Sequence, residues 1–370
     1  MRIKVLHINS NYTYTNLHQC MIEKLDQTDN ITNQVFMAAQ TNRTGVVTPN
    51  LNVKVCKCFN KWDRLFFDYK QHKISKALED NVDVAEFDLI HAYTLFTDGN
   101  CARKMAKKYG KPYIVAIRNT DVNNFLKLMP HLRSRGVKIM RDAKAIFFLS
   151  ESYREQVFSK YVPQKYLEEL KSKTYIIPNG IDDFWLENLF TEEKHLSATV
   201  KLIYAGRIDR NKNIPTIQRA MDILNQKGYN ASLTVVGRVA DNKLFEEIRD
   251  NPNTKFIPAI PKEKLIEEYR KSDIFVMPSF TESFGLVYAE AMSQGLPVVY
   301  SKGQGFDNQF AEGTVGYHVD SHDAKDVADG IERVIKNYDN IKRNLVECSK
   351  KFNWEDISKE YAVIYQKIVK

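Results

Sequence analysis

The reading of the fold turns on Asp273–Pro297, DIFVMPSFTESFGLVYAEAMSQGLP. Ile274, Phe275, Val276 and Met277 form an apolar run with no polar break, as a strand buried on both faces requires. Pro278 ends it, and Ser279–Ser283 reads as a polar loop. From Gly285 the pattern turns helical, with Leu286, Ala289 and Met292 recurring at spacings of three, and Gly295 and Pro297 stand where a helix cap and stop belong. A helix entered through glycine offers unpaired backbone N–H groups and the positive end of its dipole, an arrangement that holds phosphate. Two carboxylates bracket this entrance. Glu290 lies about one and a half turns inside the helix at ~3.6 residues per turn, too deep for a phosphate but suited to the hydroxyls of a ribose. Glu282, in the loop, can do the same for a sugar beyond the phosphates. Either glutamate alone reads as a solvated surface group; strand, loop, helix entrance and both carboxylates together read as a nucleotide site.

At 370 residues the chain is long enough for two domains, and its 43% hydrophobic content is ordinary for a soluble protein. No run of about 18 apolar residues is present to span a membrane. Met1–Asn9 reads as a strand, without the apolar core and cleavage site of a signal peptide. Cys20, Cys56, Cys58, Cys101 and Cys348 are odd in number and scattered, with no second pair to complete a metal site, so they read as reduced thiols. The formal charge of +8 sits in the first half, where residues 1–184 carry 28 Lys and Arg against 19 Asp and Glu. Residues 101–173 alone carry 17 against 6. A basic face suits anionic lipid, nucleic acid or an anionic substrate, or is simply solvated. No zinc finger, aromatic RNA-binding motif or basic arm supports nucleic acid, which is excluded as a partner.

The first half alternates apolar runs (Ile3–Ile8, Gln34–Ala38, Val53–Cys56, Leu89–Ala92, Tyr113–Ile117, Ala145–Leu149 and Tyr175–Ile177) with helical spacing, as at Phe66–Leu78 and Asn100–Tyr109. That alternation predicts a parallel, doubly wound sheet whose ligands lie beyond the carboxyl ends of its strands. The residues after those strands therefore matter: Asn9-Ser10-Asn11, His91, and Arg118-Asn119-Thr120-Asp121. Phe125–Arg141, FLKLMPHLRSRGVKIMR, mixes apolar and basic residues and fits either a helix packed on the domain or a membrane-interface segment, the packing being preferred for its apolar side. The second half begins with strand Lys201–Ala205, then Gly206-Arg207 and, five residues on, Lys212-Asn213. Arg207 offers a planar donor fork and Lys212 a point charge, a pair able to neutralise a diphosphate or to stand as two surface cations.

Glu282-Ser283-Phe284-Gly285-Leu286-Val287-Tyr288-Ala289-Glu290, followed by Gly295-Leu296-Pro297, resembles the E-x7-E signature of family 4 glycosyltransferases, and Gly206-Arg207 with Lys212-Asn213 fits the same family. The resemblance is dense in the second half and thin in the first. It implies an α/β fold of two Rossmann-like domains facing a cleft, the glycosyltransferase B (GT-B) architecture: residues 1–183 plus 353–370 as an acceptor-binding domain, 184–352 as a nucleotide-sugar domain, and a terminal helix crossing back to the first. It implies transfer of a hexose from a nucleotide diphosphate sugar, UDP-linked first among them, to an acceptor hydroxyl with retention. Arg207, Lys212, Glu282, Arg118 and Asp121 would serve catalysis. Gly206, Gly237, Arg238, Ile260, Ser283, Phe284, Gly285, Leu286 and Glu290 would join Arg207, Lys212 and Glu282 in holding the donor. No metal and no cofactor beyond the nucleotide-sugar co-substrate is expected, since no acidic D-x-D motif stands in a suitable place. The partner would be a glycan or lipid-linked glycan, and the setting cytoplasmic, with peripheral contact to an anionic inner membrane face.

Two departures stand out. The first loop, Asn9–Thr13, has no glycine where many relatives carry a Gly-Gly pair, and Arg118 stands where many carry a histidine. An arginine cannot titrate as a base but can pair with a phosphate or another anionic group of the acceptor, or with Asp121 at the strand end. These departures keep two alternatives open, a non-catalytic nucleotide-sugar binder and an epimerase of the same architecture; a glycoside hydrolase fits the helix-borne glutamate less well.

Overall fold

The computed structural model describes residues 2–14, 16–28, 30–42, 52–196 and 198–370, so Met1 of the first predicted strand lies outside it. One sheet consists of β1 (Ile3–Ile8), β2 (Ile31–Gln40), β3 (Val53–Phe59), β4 (Leu89–Ala92), β5 (Tyr113–Ile117), β6 (Ala145–Phe148) and β7 (Thr174–Ile176), in the order β3-β2-β1-β4-β5-β6-β7. The other consists of β8 (Val200–Ala205), β9 (Ala231–Val236), β10 (Thr254–Ile257), β11 (Ile274–Met277), β12 (Val298–Ser301) and β13 (Gly316–Val319), in the order β10-β9-β8-β11-β12-β13. The pairings are parallel in both, from β1 against β2 and β4 to β8 against β9 and β11. Each is a doubly wound Rossmann-like sheet, and its strand order reverses between β1 and β4 in one and between β8 and β11 in the other. Ligands of such sheets sit beyond the strand ends at the reversal.

The chain divides into one unit of residues 1–149, 153–180 and 354–370 and another of 150–152 and 181–353. The last helix, Trp354–Val369, thus belongs to the first unit. Its buried Trp354, Ile357, Tyr361 and Tyr365 share a core with Met21, Ile22 and Leu25 of the helix Leu17–Asp26 and with Val5, Val35 and Ile114 of the sheet. Gly180 makes room for this helix: a Cβ there would fall 2.5 Å from the Trp354 ring. The Tyr365 hydroxyl lies 2.7 Å from His91 Nδ1, so His91 is a core histidine, and burial holds it well below its usual pKa.

Strand β2 starts earlier than its apolar pattern predicts. Its first turn of chain is polar, but Asn33 is buried and satisfied, accepting from His7 Nε2 at 2.7 Å and donating to Asp26 at 2.8 Å. Phe125–Arg141 packs on the domain: Leu126, Leu132, Val137, Ile139 and Met140 are buried, the last three on the helix Arg133–Asp142. The linker after Asp182 is partly ordered as the helix Asp183–Glu187, and the Phe190 N–H then bonds the Ser293 carbonyl at 2.9 Å. Much of the basic excess is answered locally, Arg103 and Lys107 by Asp142, Lys108 by Glu79 and Arg141 by Glu169. All five cysteines are unbridged.

Trp354→Ala is expected to lower unfolding free energy by about 3–5 kcal/mol, read by denaturant titration of the full chain; a loss under about 1 kcal/mol would show that the terminal helix does not anchor the first unit.

Candidate functional site

The reversal point of the second sheet is built from two loops. After β8, Gly206-Arg207 leads through a short turn, Arg210–Lys212, into the helix Ile214–Gln226. Gly206 and Gly237 are there for backbone contact: a Cβ on Gly237 would stand 1.7 Å from the Gly206 carbonyl. After β11 the chain runs through Pro278–Glu282 into the helix Leu286–Ser293, entered at Gly285 with φ +77°. Only glycine adopts this conformation cheaply, and a Cβ would also strike the Tyr288 ring at 2.4 Å. The first-turn N–H groups of that helix have no partner within it.

Two asparagines bolt these loops together. Asn211 Nδ2 donates to the Thr281 carbonyl at 2.8 Å, its Oδ1 accepts from the Thr281 N–H at 3.0 Å, and its own carbonyl accepts from the Phe280 N–H at 2.9 Å. Asn213, buried and left-handed at φ +59°, donates to the carbonyls of Pro278 at 3.0 Å and Ser321 at 2.6 Å. A third loop, after β12, supports the glutamate: Gln304 accepts from the Glu282 N–H at 2.9 Å, and the Gly305 N–H donates to the Glu282 carbonyl at 3.2 Å.

The charged groups follow from this frame. Lys212 Nζ lies 2.5 Å from Glu282 Oε2, both side chains being mostly buried. The cation expected on the phosphates and the carboxylate expected on the sugar thus meet. Arg207 is exposed, 3.3 Å from Asp209, and its carbonyl is held by the Tyr204 hydroxyl at 2.6 Å. Glu290 is partly buried, and burial pushes its pKa up to about 7, with Asp182 adding to the rise and Lys262 opposing it. Asp182 is itself taken by Lys262 at 2.8 Å.

Of the other residues expected to hold the donor, Ser283 and Arg238 are exposed, and Leu286 and Ile260 are half-buried. Phe284 is different. Its ring is buried against Phe306 and Phe352, so only its backbone can meet a ligand. The sequence reading passed over Asn211, Gln304 and the Asp182–Lys262 pair. Loop asparagines and a glutamine carry no periodic signal, and their partners lie 22 to 80 residues away. Among the described residues, Asp307, Glu312 and His318 form the one cluster with ligand atoms close enough for a metal ion. His318 Nδ1 already pairs with Asp307 at 3.0 Å and Glu312 at 3.4 Å.

In the first unit, Arg118 and Asp121 follow β5. The guanidinium donates to the Tyr93 carbonyl and to Asn179, each at 3.3 Å, and has no carboxylate partner among the described residues. Asp121 corrects the sequence expectation. It is 1% exposed, and its oxygens accept from the N–H groups of Leu95 at 2.9 Å, Phe96 at 3.2 Å and Arg118 at 3.0 Å. It ties the β4 and β5 loops together and is closed off from solvent; burial lifts its pKa to about 6 against those bonds and the Arg118 charge. In the glycine-free first loop, Asn9 Oδ1 accepts from the Asn11 N–H at 3.0 Å, while Asn9 Nδ2 is buried without a partner among the described residues.

Residues 187–352 match the family described as Glycosyl transferases group 1. The chain is 30% identical over 292 residues to the D-inositol 3-phosphate glycosyltransferase of Paenarthrobacter aurescens, covering 73% of this chain and 70% of that protein. It is 28% identical over 267 residues to the protein of the same name from Pseudarthrobacter chlorophenolicus, covering 66% of this chain but only 62% of that protein's length. Among solved structures, sucrose-phosphate synthase from Thermosynechococcus elongatus superposes with a TM-score of 0.75 at 19% identity, covering 99% of both chains. Anabaena HepE in complex with UDP-glucose gives 0.68 at 17% identity, covering 99% of this chain and 100% of that one. These likenesses establish the GT-B fold, and with the paired E-x7-E and G-R-x4-K-N loops in place, the chain belongs to the group 1 glycosyl transferases.

Proposed function

We propose that the protein transfers a hexose from a nucleotide diphosphate sugar, UDP-linked by preference, to an acceptor hydroxyl with retention of anomeric configuration. The observation that carries this is the junction of the two loops, where Lys212 meets Glu282 in the loop that leads into a glycine-entered helix. The relatives named as glycosyltransferases and the neighbour solved with UDP-glucose support the donor class. Breaking the anomeric C–O bond places negative charge on the leaving diphosphate. On this reading Arg207, Lys212 and the N–H groups at the Gly285–Leu286 helix entrance answer that charge, and these donors do the work a divalent cation would otherwise do. Glu282 orients the sugar and Glu290 accepts from the ribose. The acceptor proton passes to the departing phosphate oxygen on the same face, so no separate protein base is needed.

Arg118 is the acceptor-side group. Its partly buried guanidinium, bonded to the neutral oxygens of Tyr93 and Asn179, suits an anionic substituent on the acceptor. Asp121 holds Arg118 in position through its backbone. The acceptor is proposed to be a glycan or lipid-linked glycan met in the cytoplasm.

The first test is thermal unfolding with UDP, GDP and ADP. The preferred diphosphate at ~100 times its dissociation constant adds about 2.7 kcal/mol, and Arg207→Ala is expected to lose most of that. No stabilisation by any of the three would remove the donor assignment.

The second test is the pH dependence of UDP affinity. Ribose hydroxyls donate to a carboxylate, so binding selects the ionised form of Glu290. With that group titrating at about 7, affinity rises from about pH 6 to about pH 8 and then levels. Nucleotide phosphate ionisation contributes equally to a Glu290→Gln control, so the difference between the two profiles isolates Glu290. Identical profiles would take Glu290 out of the ribose contact.

A further inference from the structure

Trp62, Leu65, Phe66 and Tyr69 are 64%, 72%, 67% and 54% exposed, although each is large and largely apolar. Among the described residues, four of the seven exposed large hydrophobic side chains thus fall within eight residues. They fall on the turn Trp62–Leu65, on Phe66, which joins that turn to the next element, and on the first turn of the helix Phe67–Glu79. The helix buries a different set, Gln71, Ile74, Ser75 and Leu78, against its own domain. The outward stripe is therefore not the packing face of the helix. Contiguous exposed apolar surface of this kind marks an interaction site.

The charge around the stripe identifies what it meets. Residues 57–76 carry six Lys and Arg against two Asp. Both carboxylates are already engaged, Asp63 by Lys73 at 2.9 Å and Asp68 by Arg135. Lys61 lies over the Trp62 ring at 5.0 Å and Lys73 over Tyr69 at 4.5 Å, while Arg64 is exposed. Lys61 and Arg64 have no carboxylate partner among the described residues, and aromatic and leucine side chains beside such cations fit the boundary of an anionic bilayer, where the rings enter the acyl edge and the cationic groups meet lipid phosphate. We infer that residues 61–73 dock the first unit on anionic lipid, with Trp62, Leu65 and Phe66 inserting. This goes beyond the transfer reaction and does not depend on it. It assigns the inserting side chains to Trp62–Phe66 and not to the adjoining Phe125–Arg141, whose apolar residues are mostly turned inward and whose Arg135 holds Asp68.

The sequence supplies its own probe. Of the three tryptophans, Trp185 and Trp354 are each 2% exposed, so a change in indole environment on vesicle addition reports Trp62. The experiment is flotation and intrinsic fluorescence of the full chain with phosphatidylcholine vesicles and with vesicles containing roughly a third phosphatidylglycerol. Binding to the anionic vesicles with a blue shift of the emission is expected, weakening with salt. The triple change Trp62→Ser, Leu65→Ser, Phe66→Ser alters only exposed side chains and is expected to keep its melting temperature while binding at least about tenfold more weakly. Lys61→Glu with Arg64→Glu is expected to remove the preference for the anionic vesicles. Absence of vesicle binding, or binding with no blue shift and no loss in the triple variant, would overturn the inference. A triple variant that converts a dimer to a monomer, with no vesicle binding by the parent, would overturn it in favour of contact between two copies of the chain.

Discussion

The candidate donor site rests on the hydrogen bonds that Asn211 and Asn213 make across two loops. Three bonds join Asn211 to Phe280 and Thr281, and Asn213 reaches from a left-handed backbone to the carbonyls of Pro278 and Ser321. The cations after β8 and the glutamate after β11 are thereby parts of one braced surface. Buried carbonyls left without these donors would each carry a desolvation cost, so the two loops hold their geometry together or not at all. The Gly206–Gly237 approach places the end of β9 against the same frame.

The electrostatics of that surface follow from how it is buried. Lys212 and Glu282 are withdrawn enough from water that each needs the other, and a pair of that kind is held by geometry more than by net energy. Glu290 sits in a different balance. Its nearest charges are Asp182 and Lys262, which largely answer each other, so burial dominates and its proton is held near neutral pH.

The two units differ in how far their chemistry could be read in advance. In the second unit the strand β11, the glycine entrance at Gly285 and both glutamates are visible as residues, because backbone torsion and burial limit which side chains those positions accept. In the first unit the strand ends were legible but the roles were not. Asp121 follows β5 in a way that suggests chemistry, yet its carboxylate is spent on three backbone N–H groups, two of them from a loop 25 and 26 residues earlier. Phe284, inside the signature, is a packing residue because Phe306 and Phe352 close over it.

The sequence by itself determined the strands, their parallel, doubly wound order and the loops where ligands gather, because uninterrupted apolar runs can only be buried between helices and reversal points follow from that winding. It also determined which unit carries the cations and which helix entrance is glycine. Only the tertiary structure decided that Lys212 faces Glu282, that Asp121 braces backbone, that Trp354 returns to the first unit beside Gly180, and that the apolar stripe at Trp62–Tyr69 faces outward. Each of these depends on a partner far along the chain or on which side of a helix the core lies, and neither is encoded in local composition or spacing.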